Sequence, residues 1–175
     1  MAITPDTKDW TWVLTRRCPE CGYDSAAASR SAVPILIRGN AAAWQAALGS
    51  RDSASLRTRP REDRWSDTEY ACHVRDVYRI FDERLALMLD ADDPTFANWD
   101  QDATAVADRY QDQDPRVVIT ELTEAAERIA GHFAGLTQAQ WERTGSRTDG
   151  ARFSVDSFAR YLVHDPVHHL YDVGG

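Results

Sequence analysis

Apolar residues recur at helical spacing in four stretches of the chain, which predicts four amphipathic helices. The stretches cover residues 31–48, 66–90, 114 to a point before 141, and 154–173. In the second stretch the apolar stripe is Tyr70, Val74, Val77, Phe81, Leu85 and Met88. Four helices of this length, without a long alternating segment between them, predict an all-α fold.

Residues that start helices support the second and third stretches. Ser66 and Glu69 have the spacing of a capping box, in which each side chain bonds the other residue's backbone amide. Asp114 is a cap residue, and Pro115 follows it at the first helical position, where proline is tolerated. These signals place the helix starts at residues 66 and 114.

The fourth stretch begins at Ser154, between two phenylalanines, Phe153 and Phe158, that have the spacing of a hydrophobic staple. It also contains Pro166, which removes one backbone hydrogen bond and crowds the preceding turn. Two outcomes remain open. Either the helix kinks at Pro166, which would redirect the side chains on both sides, or it breaks at Asp165.

The connections between the predicted helices are uneven in length. Residues 50–65 are rich in arginine, and residues 91–113 are acidic and contain the run NWDQD. Long connections in a bundle indicate that consecutive helices are not simple antiparallel neighbours. We therefore predict a four-helix bundle with long crossovers over residues 31–175, preceded by an N-terminal extension, residues 1–30. Within the extension, residues 10–15 are predicted to form a short extended piece.

Composition fits one ordinary globular domain. The chain has 175 residues, of which 43% are hydrophobic, and a formal net charge of -8. That charge opposes unguided binding to nucleic acid or to an anionic membrane. No apolar run is long enough to span a bilayer, the first residues lack an export signal, and only three cysteines are present. We therefore expect a cytoplasmic protein with a small-molecule substrate and no nucleic-acid or membrane partner.

Histidines are scarce, yet three of the five lie in the run HDPVHH of the fourth helix. His164 and His168 are four residues apart, so both imidazoles lie on one helix face. His73 lies on the apolar stripe of the second helix and is expected to point into the core. Three imidazoles suit one divalent ion such as zinc, nickel or iron, with a fourth position open to a ligand. The predicted metal ligands are therefore His73, His164 and His168.

The neighbours of these histidines leave alternatives open. His169 is turned by about 140° from His164 and makes a poor third ligand beside it. Asp165, Glu69 and Asp76 lie within a turn of the histidines and could orient their rings. The simpler interpretation is that each histidine is a hydrogen-bonded core or surface residue without a metal.

Cys18 and Cys21 form the turn CPECG, which has the spacing of half a zinc site. Four interpretations remain open. The pair could bind a structural zinc with partners such as Cys72 or His132, act as a redox pair, donate a thiolate to the histidine site, or form a plain turn. The third would close the coordination sphere of the ion and argue against catalysis.

Other features favour ordinary structural roles. The six tryptophans are expected to pack in the core and at its edges, without a role in substrate binding. The acidic stretch around Asp92, Asp93, Asp100 and Asp102 is expected to be a solvated loop. Arg75 and Arg79 lie one turn apart and are expected on an exposed helix face.

The order and spacing of the histidines resemble those of the DinB superfamily, bacterial metal-binding four-helix proteins with one histidine early in the second helix and an H-x-x-x-H pair in the last. The segment YACHVRDV supplies His73, and RYLVHDPVHH supplies His164 and His168. The segments WSDTEYACHV and QWERTGSRTDGARFSV also resemble the family, whose pattern does not require the CPECG turn. The resemblance implies frequent homodimers and metal-dependent transferases or isomerases that use mycothiol or another low-molecular-weight thiol.

Three functions follow as hypotheses. The first is a metal-dependent enzyme in which the ion activates a low-molecular-weight thiol or a water molecule. The second is a non-catalytic metal-binding or stress-associated protein, and the third is a helical interaction domain without a metal. The sequence identifies no residue that selects the substrate.

Overall fold

The structure is a computed structural model that describes residue 3 and residues 9–174. The expectation that the first residues lack an export signal falls largely on residues 1, 2 and 4–8, which lie outside the described part. The described α-helices are α1 (Val33–Gly49), α2 (Ser53–Arg57), α3 (Asp67–Asp90), α4 (Gln101–Ala107), α5 (Pro115–Ala134), α6 (Gln138–Trp141) and α7 (Val155–Asp172). None of them combines the length and the apolar character needed to cross a membrane.

The four long helices α1, α3, α5 and α7 correspond to the four predicted stretches and form a bundle, which confirms the predicted fold. Helix α3 packs against α5 and α7, and α1 packs against the same two helices. Consecutive helices α1 and α3 therefore lie at opposite corners of the bundle, as do α5 and α7. The predicted crossover of residues 50–65 makes the first diagonal connection, and residues 135–154 make the second. The long connection 91–113 instead joins α3 to its direct neighbour α5, so the prediction that these two helices are not neighbours is wrong.

The helix starts follow the local signals. The Ser66 hydroxyl accepts a hydrogen bond from the Glu69 amide at 3.3 Å, and the Glu69 carboxylate accepts one from the Ser66 amide at 2.8 Å. The Asp114 carboxylate accepts from the Arg116 amide at 2.9 Å, with Pro115 as the first residue of α5. Each bond satisfies a backbone donor that the helix itself leaves without a partner.

Helix α7 continues through Pro166, so of the two outcomes left open by the sequence the break at Asp165 does not occur. The Pro166 carbonyl accepts hydrogen bonds from Asn40 Nδ2 at 3.1 Å and from Trp44 Nε1 at 3.3 Å, both on α1. Tyr78 of α3 donates to Asn40 Oδ1 at 2.9 Å. These buried bonds join three helices at the level of the proline and hold α7 in one position.

A three-stranded sheet lies at one end of the bundle in the described part of the chain, where the sequence predicted no convincing sheet. Its strands are β1 (Thr95–Phe96), β2 (Thr144–Arg147) and β3 (Arg152–Ser154), with β1 parallel and β3 antiparallel to the central β2. Strands of two to four residues are too short for an alternating pattern to be recognised.

Gly145 of β2 lies where a side chain has no room. A Cβ atom there would approach Met88 Cγ of α3 to 2.9 Å and Phe96 Cε1 of β1 to 3.2 Å. We expect Gly145→Ala to lower the free energy of unfolding by about 1 to 3 kcal/mol through overpacking.

Gly39 in α1 is the matched control, because a Cβ there meets nothing within 4 Å. Gly39→Ala should raise the free energy of unfolding by about 0.5 to 1 kcal/mol. Urea denaturation of both variants checks the pair, and equal effects would contradict the packing argument.

The N-terminal residues pack onto the bundle. Residues 10–14 form a 3-10 helix, Trp10–Leu14, so the predicted extended piece is wrong. The cause is local: the Asp9 carboxylate accepts from the Thr11 amide at 2.9 Å and starts the turn. Cys18, Tyr23 and Ala28 belong to the same buried core as the bundle helices. The predicted boundary between residues 1–30 and 31–175 stays a prediction.

Candidate metal centres

Helix α7 carries two pairs of ligating residues at four-residue spacing. His164 and His168 form one pair, and Asp165 and His169 form the other. Each pair lies on one helix face, and the two faces are turned by about 100° from each other. Two separate sets of ligands can therefore form on two different faces of the same stretch of helix.

The structure brings each pair together with different partners. Among the described residues, His73, Asp165 and His169 form one group, and Cys18, Cys21, His164 and His168 form another, with the ligand atoms of each group within 4.8 Å of one another. We call them the His/Asp group and the Cys/His group. The predicted triad is thus divided, because His73 lies in the first group and its two expected partners lie in the second.

The His/Asp group joins α3 to α7. His73 Nε2 lies 3.2 Å from Asp165 Oδ1, and His169 Nε2 lies 3.9 Å from the same oxygen. Ligands at 2.0 to 2.2 Å around a tetrahedral ion are roughly 3.3 to 3.6 Å apart. Only small side-chain adjustments would therefore bring these three atoms around one ion.

The residues around the group fix its rings. His169 Nδ1 lies 3.0 Å from Asp172 Oδ2, which leaves Nε2 directed toward Asp165. A carboxylate on the second nitrogen is the usual outer-shell support of a metal-bound histidine. The Trp99 ring stacks on His73 at 5.2 Å, with the two ring planes 5° apart. Trp99 comes from the long connection 91–113, which therefore covers the group.

The donor set suits a transition metal. Burial raises the pKa of Asp165, but the neighbouring His73 and His169 outweigh that effect and hold the pKa below its ordinary value. Asp165 is therefore a carboxylate at neutral pH and offers a charged oxygen. Two imidazoles and one carboxylate occur in catalytic zinc sites and in non-haem iron sites, where further positions stay open.

A cavity of about 780 Å³ opens beside the group, a volume typical of small-molecule sites. Asp165 and His169 line it, as do His164 and His168 of the Cys/His group, whereas His73 is fully buried. Trp10, Trp65 and Trp99 also line the cavity, and the expectation that no tryptophan has a role in substrate binding stays a prediction. Asp102 of the acidic stretch lines it as well and lies in α4, so the expected loop is a helix at that residue.

Four arginines line the same cavity, Arg61, Arg64, Arg84 and Arg147, and the last two lie on α3 and β2. Arg147 pairs with Asp149 at 2.8 Å and donates to the Tyr161 hydroxyl at 3.3 Å. Arg84 is 8% exposed and donates to the Ala97 carbonyl at 2.8 Å, and no carboxylate of the described residues lies within ion-pairing distance of it. Burial and the charge of Arg147 lower the pKa of Arg84 to about 10. Arg84 and Arg147 thus carry two positive charges and contact one carboxylate, that of Asp149.

The other predicted partners of the cysteines lie elsewhere. Cys72 Sγ contacts Gln113 Oε1 at 3.5 Å, and His132 Nδ1 lies 2.5 Å from Asp82 Oδ1. Neither belongs to the Cys/His group. The interpretation in which the cysteines fold over onto histidines of the last helix matches the observed grouping, although these cysteines do not reach the group that contains His73.

Of the three carboxylates expected to orient histidines, only Asp165 contacts a predicted ligand. Glu69 forms an ion pair with Arg59, and Asp76 forms one with Arg75. Arg75 is 5% exposed, so its predicted place on an exposed helix face is wrong. The cause is the packing of α3 against α5, where Glu121 of α5 pairs with Arg75 at 2.8 Å.

Asp165 and His169 are the members of the His/Asp group that the sequence did not predict as ligands. Their signal was the same four-residue spacing that selected His164 and His168, with a carboxylate in place of the first imidazole. A search for mixed D-x-x-x-H pairs in the last helix would have found them.

Comparisons with known proteins agree with this architecture. The family model of the DinB superfamily matches residues 36–173. No curated protein matches the chain. Among solved structures, YfiT from Bacillus subtilis is similar with a TM-score of 0.74 and 18% sequence identity, over 85% of this chain and 87% of that one. YfiT is described as a probable metal-dependent hydrolase with an unusual four-helix bundle topology. At this identity the likeness concerns the fold.

Proposed function

The chain belongs to the DinB superfamily, and we propose that it is a metal-dependent enzyme that acts on a small anionic substrate. A divalent ion, zinc, nickel or iron, would be held by His73, Asp165 and His169. The observation that carries the proposal is the cavity of about 780 Å³ that opens on the His/Asp group.

A bound ion would lower the pKa of a water molecule or thiol, so that a nucleophile forms near neutral pH. The chain's own residues would prepare that position. Asp172 holds the Nδ1 proton of His169, which keeps Nε2 available as a donor atom. Trp99 and Trp65 cover the His73 ring at 5.2 and 5.4 Å and exclude water from its buried side.

Arg84 and Arg147 support an anionic substrate. A buried guanidinium without a carboxylate partner is unfavourable unless an anion can reach it. A carboxylate or phosphate in the cavity would be bound by both arginines, since guanidinium groups offer paired donors to planar or tetrahedral anions. Its reactive bond would then face the His/Asp group, which lines the same cavity.

Water and a low-molecular-weight thiol are the two candidate nucleophiles. The description of YfiT as a probable metal-dependent hydrolase supports water. The family resemblance to thiol-dependent transferases and isomerases supports a thiol such as mycothiol. Ester hydrolysis and thiol conjugation, assayed on the metal-loaded protein with the same anionic substrates, distinguish the two.

The triad of His73, His164 and His168 remains a prediction. Substitution of one histidine at a time distinguishes this ligand set from the His/Asp group. The test uses a protein in which Cys18 and Cys21 are both replaced by serine, so that the Cys/His group contributes no ion. In that background His73→Ala and His169→Ala should each lose about one ion per chain by elemental analysis, and His164→Ala should retain it. Retention in His169→Ala, with loss in His164→Ala and His73→Ala, would restore the predicted triad.

The arginines give a prediction on substrate choice. Wild-type protein should turn over an anionic ester faster than its neutral isostere. Arg84→Met should reduce that preference by roughly 10- to 100-fold, because it removes one charge-assisted hydrogen bond to the anion. The kcat/KM ratio for the two esters is the measurement.

Two further variants control the arginine test. Arg84→Lys retains the charge and should retain part of the preference, and Arg128→Met removes an exposed arginine of α5 and should leave the ratio unchanged. An unchanged ratio in Arg84→Met would refute the anionic substrate. Absence of turnover with every metal and both nucleophiles would favour the non-catalytic metal-binding hypothesis.

A further inference from the structure

The Cys/His group joins two distant parts of the chain. Cys18 and Cys21 come from the N-terminal turn, and His164 and His168 come from α7. Cys18 Sγ lies 3.7 Å from His168 Nδ1. Sulfur and nitrogen ligands around a tetrahedral zinc ion are about 3.5 Å apart, given zinc bonds of about 2.3 and 2.0 Å. The observed separation is close to that of two ligands on one zinc ion.

The backbone of the turn is folded to present both thiols. The Gly22 amide donates to the Cys18 carbonyl at 3.0 Å, and the Cys18 amide donates to the Tyr23 carbonyl at 2.8 Å. Gly22 has a φ of +75°, which glycine adopts without strain. This tight turn brings two cysteines, three residues apart, to the same side, as in the half-sites of zinc-binding folds.

The two histidines are oriented for the same position. Cys18 is 1% exposed, His164 is 3% exposed, and His164 Nε2 is buried with no hydrogen-bond partner among the described residues. Glu20 lies between the two cysteines in the sequence, and its Oε2 is 3.4 Å from His168 Nε2. This contact on Nε2 directs the other ring nitrogen, Nδ1, toward Cys18. A buried imidazole nitrogen without a partner is unfavourable, and a metal ion would satisfy it.

We propose that Cys18, Cys21, His164 and His168 bind a structural zinc ion, separate from the ion of the His/Asp group. Four protein donors complete a tetrahedral sphere, so this ion has no position for a substrate. It fastens the N-terminal segment to α7 and thereby holds Trp10 and Glu20, which line the cavity. The inference does not rest on the proposed function, because it uses no residue of the His/Asp group.

Cobalt substitution of the full-length protein distinguishes the two ions. Thiolate ligands give Co²⁺ a near-ultraviolet charge-transfer band, which a site of imidazoles and a carboxylate does not produce. We expect that band in the wild-type protein and in His73→Ala. We expect Cys21→Ser and His164→Gln to lose that band. By elemental analysis, each of these variants should also contain about one zinc ion per chain fewer than the wild-type protein. Cys72→Ser, which changes a buried cysteine outside the group, should retain both.

Several outcomes would overturn the inference. They are a wild-type protein without the thiolate band, a band that persists in Cys21→Ser, and a Cys18–Cys21 disulfide found by mass spectrometry of the protein purified with excess zinc. If the variants do not fold, chelation of the wild-type protein provides the second test. Zinc removal should raise the rate at which a thiol-alkylating reagent modifies Cys18 and Cys21 by at least tenfold, whereas Cys72 should stay protected. Equal alkylation of Cys18 and Cys21 with and without zinc would also refute the site.

Discussion

Asp165→Ala should weaken binding of the ion at the His/Asp group by more than the 10- to 100-fold that loss of an outer-shell partner causes. Asp165 Oδ1 is the atom that the other two donors share, at 3.2 Å from His73 Nε2 and 3.9 Å from His169 Nε2. Its removal leaves two imidazoles and takes away the negative charge of the site. Competition for Zn²⁺ against a chromophoric chelator measures the change in affinity.

Two variants make the Asp165 test specific. Asp172→Asn alters only the support of His169 Nδ1 and should weaken binding by roughly 10- to 100-fold, less than Asp165→Ala. Asp165→His supplies an imidazole at the same helix position and should restore most of the affinity. If Asp165→Ala binds zinc as tightly as the wild-type protein at this site, Asp165 is not a ligand.

The fold was predictable because its signals are local. The stripe of α3 and the cap of Ser66 with Glu69 act within one helix, and the structure contains both. The stripe residues Val74, Val77 and Leu85 are each at most 1% exposed. Helical periodicity fixes which face is apolar, and burial of that face then determines the bundle.

The candidate sites were predictable only in part, because ligands on different elements meet through tertiary packing. Periodicity correctly separates His169 from the face of His164. It does not set the rotation of α7 about its own axis, which decides which of its two faces meets His73. Packing sets that rotation, through the bonds of Asn40 and Trp44 to the Pro166 carbonyl. His73 therefore meets Asp165 and His169.

The N-terminal turn and the small sheet show a second limit. Cys18 and His168 are 150 residues apart, and no local pattern specifies that their side chains meet. Likewise, β1 pairs with β2 across about 50 residues through strands too short to have a recognisable period. Such contacts depend on the finished bundle, which provides the surface for them.

Asp76→Ala should lower the free energy of unfolding by about 3 kcal/mol, since it removes the partner of a buried cation. Arg75 Nε donates to Asp76 Oδ1 at 2.9 Å, and the Tyr110 hydroxyl donates to Asp76 Oδ2 at 2.5 Å. Without Asp76, Arg75 retains Glu121 and Gln113 but loses its most buried acceptor. Urea denaturation near neutral pH measures the loss. Asp112→Ala, which breaks an exposed pair with Arg109, should change stability by less than about 1 kcal/mol.

The Asp76 contribution should also depend on pH in a defined direction. Burial raises the pKa of Asp76, but hydrogen bonds from Arg75 and Tyr110 and the charges of Arg75 and Arg79 outweigh it, so the pKa is lowered in the folded protein. A lowered carboxyl pKa adds stability that is complete above the unfolded value, about 3.9, and disappears as the pH falls through the folded value. The stability difference between wild type and Asp76→Asn should therefore shrink as the pH falls below about 4. If the stability difference between wild type and Asp76→Asn stays constant down to the acid transition, the charge of Asp76 does not stabilise the fold. The stabilisation would then come from its hydrogen bonds alone.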